Sequence, residues 1–359
     1  MNPTFQRLMS QATRLTRAGN LKDAMAAIQA ALGRGKSLPT NGDACVIDAI
    51  DAIDVEAREV GREAVAPERS AAPERAAAPD GQFIAGSHTE RAGTREYKLF
   101  VPPQTDRQAT ALVVMLHGCT QDPDDFAAGT RMNEAALERG MFVLYPAQAQ
   151  SANPSRCWNW FKHNHQRRDR GEPAILAGMT RAVIKRYNID PRRVYVAGLS
   201  AGGAMAAILG EAYPDVFAAV GVHSGLPAGS ATDVASAFSA MKGGAAASLP
   251  TTAGRPTIVF HGDQDSTVHP VNGERVAAAS PGAAAPQVER VHGDDGRAYT
   301  QHTYRDAQGS VVAEHWVVHG TGHAWSGGST RGSYTDAKGP DATHEMLRFF
   351  AANVLPAAH

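Results

Sequence analysis

The sequence predicts an α/β protein: a mostly parallel central sheet with helices on both faces, preceded by a helical hairpin. Three observations carry that reading. From residue 95 onward, short apolar runs alternate with stretches of helical periodicity, as a strand–helix–strand chain requires. Several of these runs are continuously apolar rather than alternating, which marks strands buried on both faces. The chain has 359 residues, too many for one small domain and about right for one large domain with an appendage.

Taken in order, residues 4–33 have helical spacing. Phe5, Leu8, Met9, Ala12 and Leu15 share one face, Gly19-Asn20 breaks the pattern, and Leu21, Ala24, Ile28 and Leu32 rebuild it. This predicts a helical hairpin within an N-terminal extension over residues 1–61. Its pattern resembles one tetratricopeptide repeat, although a single copy does not make a solenoid. A packing or docking role is expected for it, with a granule or protein partner as the alternative. Residues 62–80 are rich in Ala, Pro, Glu and Arg, and Val65 is the only apolar side chain there larger than Ala or Pro; this is a linker. A third segment, 81–359, is then the main domain. Strands are expected at 95–102, 111–118, 141–146, 193–200, 217–225 and 256–262, with a hairpin over 298–320 turning near Gly309. Helices are expected at 129–139, 173–187, 201–212 and 341–353.

Composition excludes several classes. Lys plus Arg (35) nearly equals Asp plus Glu (36), so no global field draws the chain to nucleic acid. No run of about 20 apolar residues could span a membrane. The first twenty residues are interrupted by Arg7, Gln11, Arg14 and Arg17 and lack the apolar stretch of a secretion signal, which points to the cytoplasm. Three cysteines, Cys45, Cys119 and Cys157, are too few for a disulfide framework, and no Cys-x-x-Cys pair suggests zinc. No metal is expected.

Chemistry enters at Gly198-Leu199-Ser200-Ala201-Gly202, a G-x-S-x-G string between an apolar strand and a small-residue helix. A sharp turn there lifts Ser200 above a helix N-terminus, whose free N–H groups favour a developing oxyanion. This is the nucleophile turn of the α/β-hydrolase fold. A serine hydroxyl needs a base, and the base an orienting carboxylate, in the chain order Ser, acid, His. Asp265 lies a short loop beyond the strand at 256–262 and is the preferred acid; Asp263 is the alternative. The base should lie beyond the last strand, where His315, His319 and His323 are the candidates. The first two have the even spacing of residues on one face of a strand, and no H-E-x-x-H accompanies them. His323 sits in a Gly-rich loop from which it could reach Ser200, so the expected triad is Ser200, Asp265 and His323. His117-Gly118-Cys119 follows the first central strand, where the second oxyanion donor belongs; the backbone N–H groups of Cys119 and Ala201 are the expected pair. Cys157 follows the next strand at the same sheet end, so a Cys119–Cys157 bridge is a reasonable hypothesis.

Five segments together resemble the poly(3-hydroxybutyrate) depolymerase-like and feruloyl esterase family. They are Leu116-His117-Gly118-Cys119-Thr120-Gln121, Cys157-Trp158-Asn159-Trp160-Phe161, Gly198 to Gly203, His261-Gly262-x-x-Asp265, and Gly322-His323-Ala324-Trp325-Ser326-Gly327-Gly328. The resemblance covers residues 90 to 353. It implies a serine esterase with the same triad, no cofactor, and an ester substrate: 3-hydroxybutyrate esters or oligomers, or feruloyl or acetyl esters. It also favours the Cys119–Cys157 bridge. The family is often extracellular; without a visible signal or a separate substrate-binding domain, soluble esters, oligomers or amorphous granules are the expected substrates. His117, Trp158, Trp160 and Trp325, with Phe161, cluster near the motifs and are expected to form substrate-binding walls, although one or two could pack the core. Two rivals are a prolyl-oligopeptidase-type serine peptidase, for whose specificity lid the chain has no room, and a non-catalytic granule-associated protein working through the hairpin.

Overall fold

A computed structural model describes residues 80–103, 110–244, 254–282, 285–291 and 296–357. The helical hairpin and linker expected before residue 80, and the partner role assigned to that hairpin, lie outside these residues.

The main sheet has ten strands: β1 (Gln82–Glu90), β2 (Gly93–Val101), β3 (Leu112–Leu116), β4 (Phe142–Pro146), β5 (Val194–Leu199), β6 (Ala219–His223), β7 (Thr257–Gly262), β8 (Gln287–Val291), β9 (Tyr299–Arg305) and β10 (Val311–Val318). They lie in the order β1-β2-β4-β3-β5-β6-β7-β10-β9-β8. The six from β4 to β10 run parallel, and antiparallel pairs close both ends. A short parallel pair, β11 (Trp325–Ser326) with β12 (Thr335–Asp336), stands apart. The central runs are wholly buried, so their side chains alternate between two cores. Leu112, Val114 and Leu116 of β3 face one side, where they meet helices α3 (Gly171–Tyr187), α4 (Ala201–Ala212) and α6 (Val271–Ala278) through Leu176, Met205 and Val276. Val113 and Met115 face the other, with Phe126 of α1 (Pro123–Thr130), Met132 of α2 (Met132–Arg139) and Met346 of α7 (Ala342–Ala351). The remaining helix, α5 (Val234–Met241), adds Ala237 and Ala240 to the first core. Among the described residues, no helix is long and apolar enough to cross a membrane.

Strand register decides where the site lies. Leu116 is level with Gly198, Leu199 with His223, His223 with Phe260, and Gly262 with Val318. The loops leaving the carboxyl ends of β3, β5, β6, β7 and β10 therefore emerge along one edge. In open parallel sheets that edge is where ligands bind.

Two expectations need correction. The helix expected over 129–139 begins later, as α2 at Met132, and is preceded by a separate helix, α1, that was not expected. Asp122 caps α1, accepting from the Asp124 and Asp125 N–H groups, with Pro123 in the first turn. Arg131 then takes φ 53°, ending α1 and turning the chain into α2. Strands β1 and β8 and helices α5 and α6 were not expected at all. β1 and β8 are the two edge strands and none of their side chains is fully buried, so no apolar run marks them.

Helix α7 is held to the sheet by a parallel ring stack of Phe350 on Tyr195, centroids 4.8 Å apart. Both rings are buried. Phe350→Ala is expected to cost about 3–5 kcal/mol. Urea unfolding checks this: the midpoint should fall while the slope stays that of the parent.

Candidate active site

Ser200 ends β5 and opens α4 at φ 58°, ψ −120°, a backbone conformation that side-chain-bearing residues rarely hold. The turn is enforced by close packing. A Cβ on Gly202 would run into the Leu116 carbonyl oxygen, and one on Gly198 into the Gly202 carbonyl. The Ser200 N–H donates to the His223 carbonyl at 2.9 Å. Its hydroxyl does not cap α4, which leaves it available to a base.

Asp265 and His323 are brought together. His323 Nδ1 lies 2.7 Å from Asp265 Oδ2. Asp265 is 5 % exposed, and its Oδ1 accepts the N–H groups of Thr267 (2.9 Å) and Val268 (2.8 Å). Burial alone would raise its pKa, but hydrogen bonds from His261 and His323 outweigh burial and hold the carboxyl well below the usual carboxylate range. An ionised Asp265 makes His323 Nδ1 the donor, so in the neutral ring Nε2 is a free lone pair, as a general base needs. The alternative acid, Asp263, is engaged elsewhere. It meets His319 Nδ1 at 2.9 Å and accepts the Gly320 N–H, while His319 Nε2 sits 2.8 Å from Thr300 Oγ1. His315 is buried in the sheet, and burial lowers its pKa to about 3. His223 joins the serine turn to the segment after His323: its carbonyl takes the Ser200 N–H, and its Nε2 takes the Ser326 N–H at 2.9 Å, while among the described residues no hydrogen bond links the Ser200 hydroxyl to His323.

The turn after β3 packs against the serine. A Cβ on Gly118 would lie 3.6 Å from Ser200 Cβ. The Gly118 N–H is spent on Gln121 Oε1 (2.9 Å). Among the described backbone bonds outside helices and strands, neither the Cys119 nor the Ala201 N–H is a donor, so both are free for an oxyanion. His117 Nδ1 lies 2.7 Å from the Gly118 carbonyl, and Nε2 accepts the Gln148 N–H at 3.1 Å. The ring is therefore neutral with its proton on Nδ1, consistent with the lowered pKa that burial produces. In a trans peptide the C=O and the following N–H point opposite ways. Holding the Gly118 carbonyl thus aims the Cys119 N–H.

The residues expected as substrate walls lie mostly in the core, although His117 also borders a surface cavity with Gln121, Gln148 and Arg156. His117, Trp158, Trp160 and Trp325 are all buried. Trp158 Nε1 donates to the His117 carbonyl, and Trp325 Nε1 to Thr343 Oγ1; Trp325 also packs on Phe126 and His223. Buried indoles need hydrogen-bond acceptors, and these rings serve the core. The exposed aromatic near the turn is Tyr334, 47 % exposed at φ 53°, with its hydroxyl 3.3 Å from Thr120 Oγ1. Sequence reasoning missed it. Its only advance signal is proximity to the His323 loop, since no motif contains it.

A buried carboxylate organises the wall behind the turn. Glu172 Oε1 accepts from Gln148 Nε2 (2.6 Å), Asn159 Nδ2 (2.7 Å) and Arg95 (3.3 Å), and Oε2 accepts the Asn159 N–H (2.7 Å). Cys119 and Cys157 are disulfide-bonded, which joins this wall to the turn. Although burial opposes it, hydrogen bonds from His165, Gln148 and Asn159 hold the Glu172 carboxyl below its ordinary pKa. A depressed folded pKa contributes stability above the unfolded value, about pH 4.3, and loses it as pH falls through the folded one. Glu172→Gln is expected to cost about 3–5 kcal/mol at pH 7. Denaturation midpoints at pH 7 and in acid should show the gap to the parent closing as pH falls.

With this geometry in hand, likeness to known proteins is informative. The family described as Esterase PHB depolymerase matches residues 95–280. Poly(3-hydroxyalkanoate) depolymerase C of Paucimonas lemoignei is 33 % identical over 227 residues, covering 59 % of this chain and 54 % of that protein. Poly(3-hydroxybutyrate) depolymerase of Ralstonia pickettii is 33 % identical over 265 residues, 67 % of this chain and 53 % of that protein. The chain thus spans about half the length of these relatives. An acetyl xylan esterase from Aspergillus awamori shares the fold with a TM-score of 0.58 at 17 % identity, covering 75 % of this chain and 99 % of that one. From the family match across its sheet core, the chain belongs to the Esterase PHB depolymerase family.

Proposed function

We propose that this chain hydrolyses carboxylic esters through an acyl-enzyme on Ser200. The observation that carries the reading is the Asp265–His323 bond, set at the same sheet edge as the strained Ser200 turn. His323 Nε2 takes the serine proton as Oγ attacks the ester carbonyl. The negative oxygen formed is met by the Cys119 and Ala201 N–H groups at the positive end of α4. The protonated His323 then gives its proton to the leaving alkoxide. A water activated by the same nitrogen repeats the sequence and frees the acid. Asp265 keeps the imidazole oriented and stabilises its charged form.

For substrate, relatives named for poly(3-hydroxyalkanoate) and acetylxylan suggest short hydroxyacid esters and oligomers first, then acetyl or feruloyl esters. Tyr334 is the side chain proposed to receive the substrate's apolar part. For the hairpin over 4–33, a granule or protein partner is proposed on its amphipathic spacing alone.

Ser200→Ala should lower p-nitrophenyl butyrate hydrolysis by roughly four orders of magnitude or more and abolish labelling by a fluorophosphonate. Undiminished turnover would remove the assignment. Tyr334→Ala should raise KM about three- to tenfold for butyrate or ferulate esters, with kcat little changed, because it removes binding made equally in ground and transition states. A panel of 3-hydroxybutyrate oligomers, methyl ferulate and acetylated xylan ranks the substrate classes.

A further inference from the structure

Below the proposed triad lies a histidine that the mechanism does not use. His261 is on β7, four residues before Asp265, and is fully buried. Its Nε2 lies 2.9 Å from the Val268 carbonyl and 3.3 Å from Asp265 Oδ2. Both neighbours accept, so Nε2 must carry the proton. That proton goes to the Val268 carbonyl, and Asp265 Oδ2, bonded to His323 Nδ1 at 2.7 Å, lies 3.3 Å from the same His261 nitrogen, close enough to share its N–H. On the other side of the ring, a Cβ on Gly273 would approach His261 Nδ1 and His315 Nε2 at 2.9 Å each, so α6 presses close against it. His261 Nδ1 has no hydrogen-bond partner. A buried polar atom left unsatisfied is costly, and an apolar ring would avoid that cost. The side chain's return comes from Nε2.

We infer that His261 is a positioning residue for the acid–base pair: it anchors Asp265 to the rigid strand β7 and takes a share of the carboxylate's charge. The inference rests on the hydrolase reading above. Thr267 and Val268 hold Oδ1, but both belong to the loop that carries Asp265 itself. His261 references the carboxylate to the sheet, and by binding the Val268 carbonyl it closes the same loop. The titratable groups that face it are Asp265 and His323 from their loops, His223 from β6 and His315 from β10, behind which His302 of β9 stacks.

The test separates positioning from mere structure. His261→Phe keeps the volume and removes the donor; His261→Gln restores an N–H of similar reach. Without the second donor, Asp265 directs more of its charge to His323 and favours its protonated form. The acid limb of kcat/KM should therefore move to higher pH, by roughly half a unit or more. For His261→Phe, kcat per fluorophosphonate-titrated site should fall about ten- to hundredfold, with KM within about twofold. His261→Gln should recover most of both. If His261→Phe does not fold, His261→Asn, too short to reach Asp265, carries the same expectation. A titrated variant with the parent's kcat and acid limb overturns the inference, and so does a lower kcat with an unmoved limb. Failure of the parent to label or turn over ester strikes the hydrolase reading instead.

Discussion

The site depends on how closely the first turn of α4 approaches the end of β3. Gly202 lies against the Leu116 carbonyl with no room for a side chain, and Gly198 lies against Gly202. That contact forces Ser200 into its positive-φ turn and sets the α4 N-terminus beside Gly118-Cys119. Because β3 and β5 are paired in register at this level, the turn proposed to hold the oxyanion and the serine are positioned by the same sheet geometry. Backbone strain at one residue is thus held by packing that fills both sheet faces.

Around this contact, the polar groups are arranged so that each has one charge state. His117 and His223 each accept a backbone N–H on Nε2 and turn Nδ1 toward an oxygen, the Gly118 carbonyl and Ser224 Oγ respectively. Each is buried and neutral, with its pKa pushed down by burial; for His223 the shift is large. Protonating either ring would turn its acceptor nitrogen into a donor facing another donor. His117 aims the oxyanion turn, and His223 joins the serine backbone to the His323 loop. Acid therefore threatens the scaffold of the site as well as its base.

Much of this was legible in the sequence, and the failures share a cause. The strand–helix alternation, α4 over 201–212, and the Asp265 and His323 loops all stand out because periodicity and turn residues act locally. In the sequence, Asp265 is preferred over Asp263 on its loop position and on the His261-Gly262-x-x-Asp265 resemblance. The structure separates the two by partner: Asp263 takes His319 and Asp265 takes His323. β1 and β8 escaped because exposed edge strands lack an apolar run, and the break at Arg131 because one left-handed residue leaves no pattern. The tryptophans were misplaced for a different reason. Adjacency to a motif says that a ring is near a site, not which way it points.

That last error bears on what shapes the site. Trp158 spends its N–H on the His117 carbonyl, and Trp325 packs behind His223, so both aromatics stiffen the two loops that meet at Ser200. Glu172, on α3, fastens the Cys157–Asn159 segment from beneath, and the disulfide carries that anchor to Cys119. An oxyanion donor must stay where charge develops, because reorganising it during reaction would forfeit most of its benefit. Rigid aromatics and a satisfied buried carboxylate supply that constancy. Contact with substrate is proposed for exposed side chains such as Tyr334, whose loop is clamped to α1 through Ser333 and Asp125. Rigidity behind the proposed oxyanion turn and exposure in front of it are thus assigned to different residues; the two tryptophans of the first set lie within the motifs, whereas Glu172 and Tyr334 lie outside them.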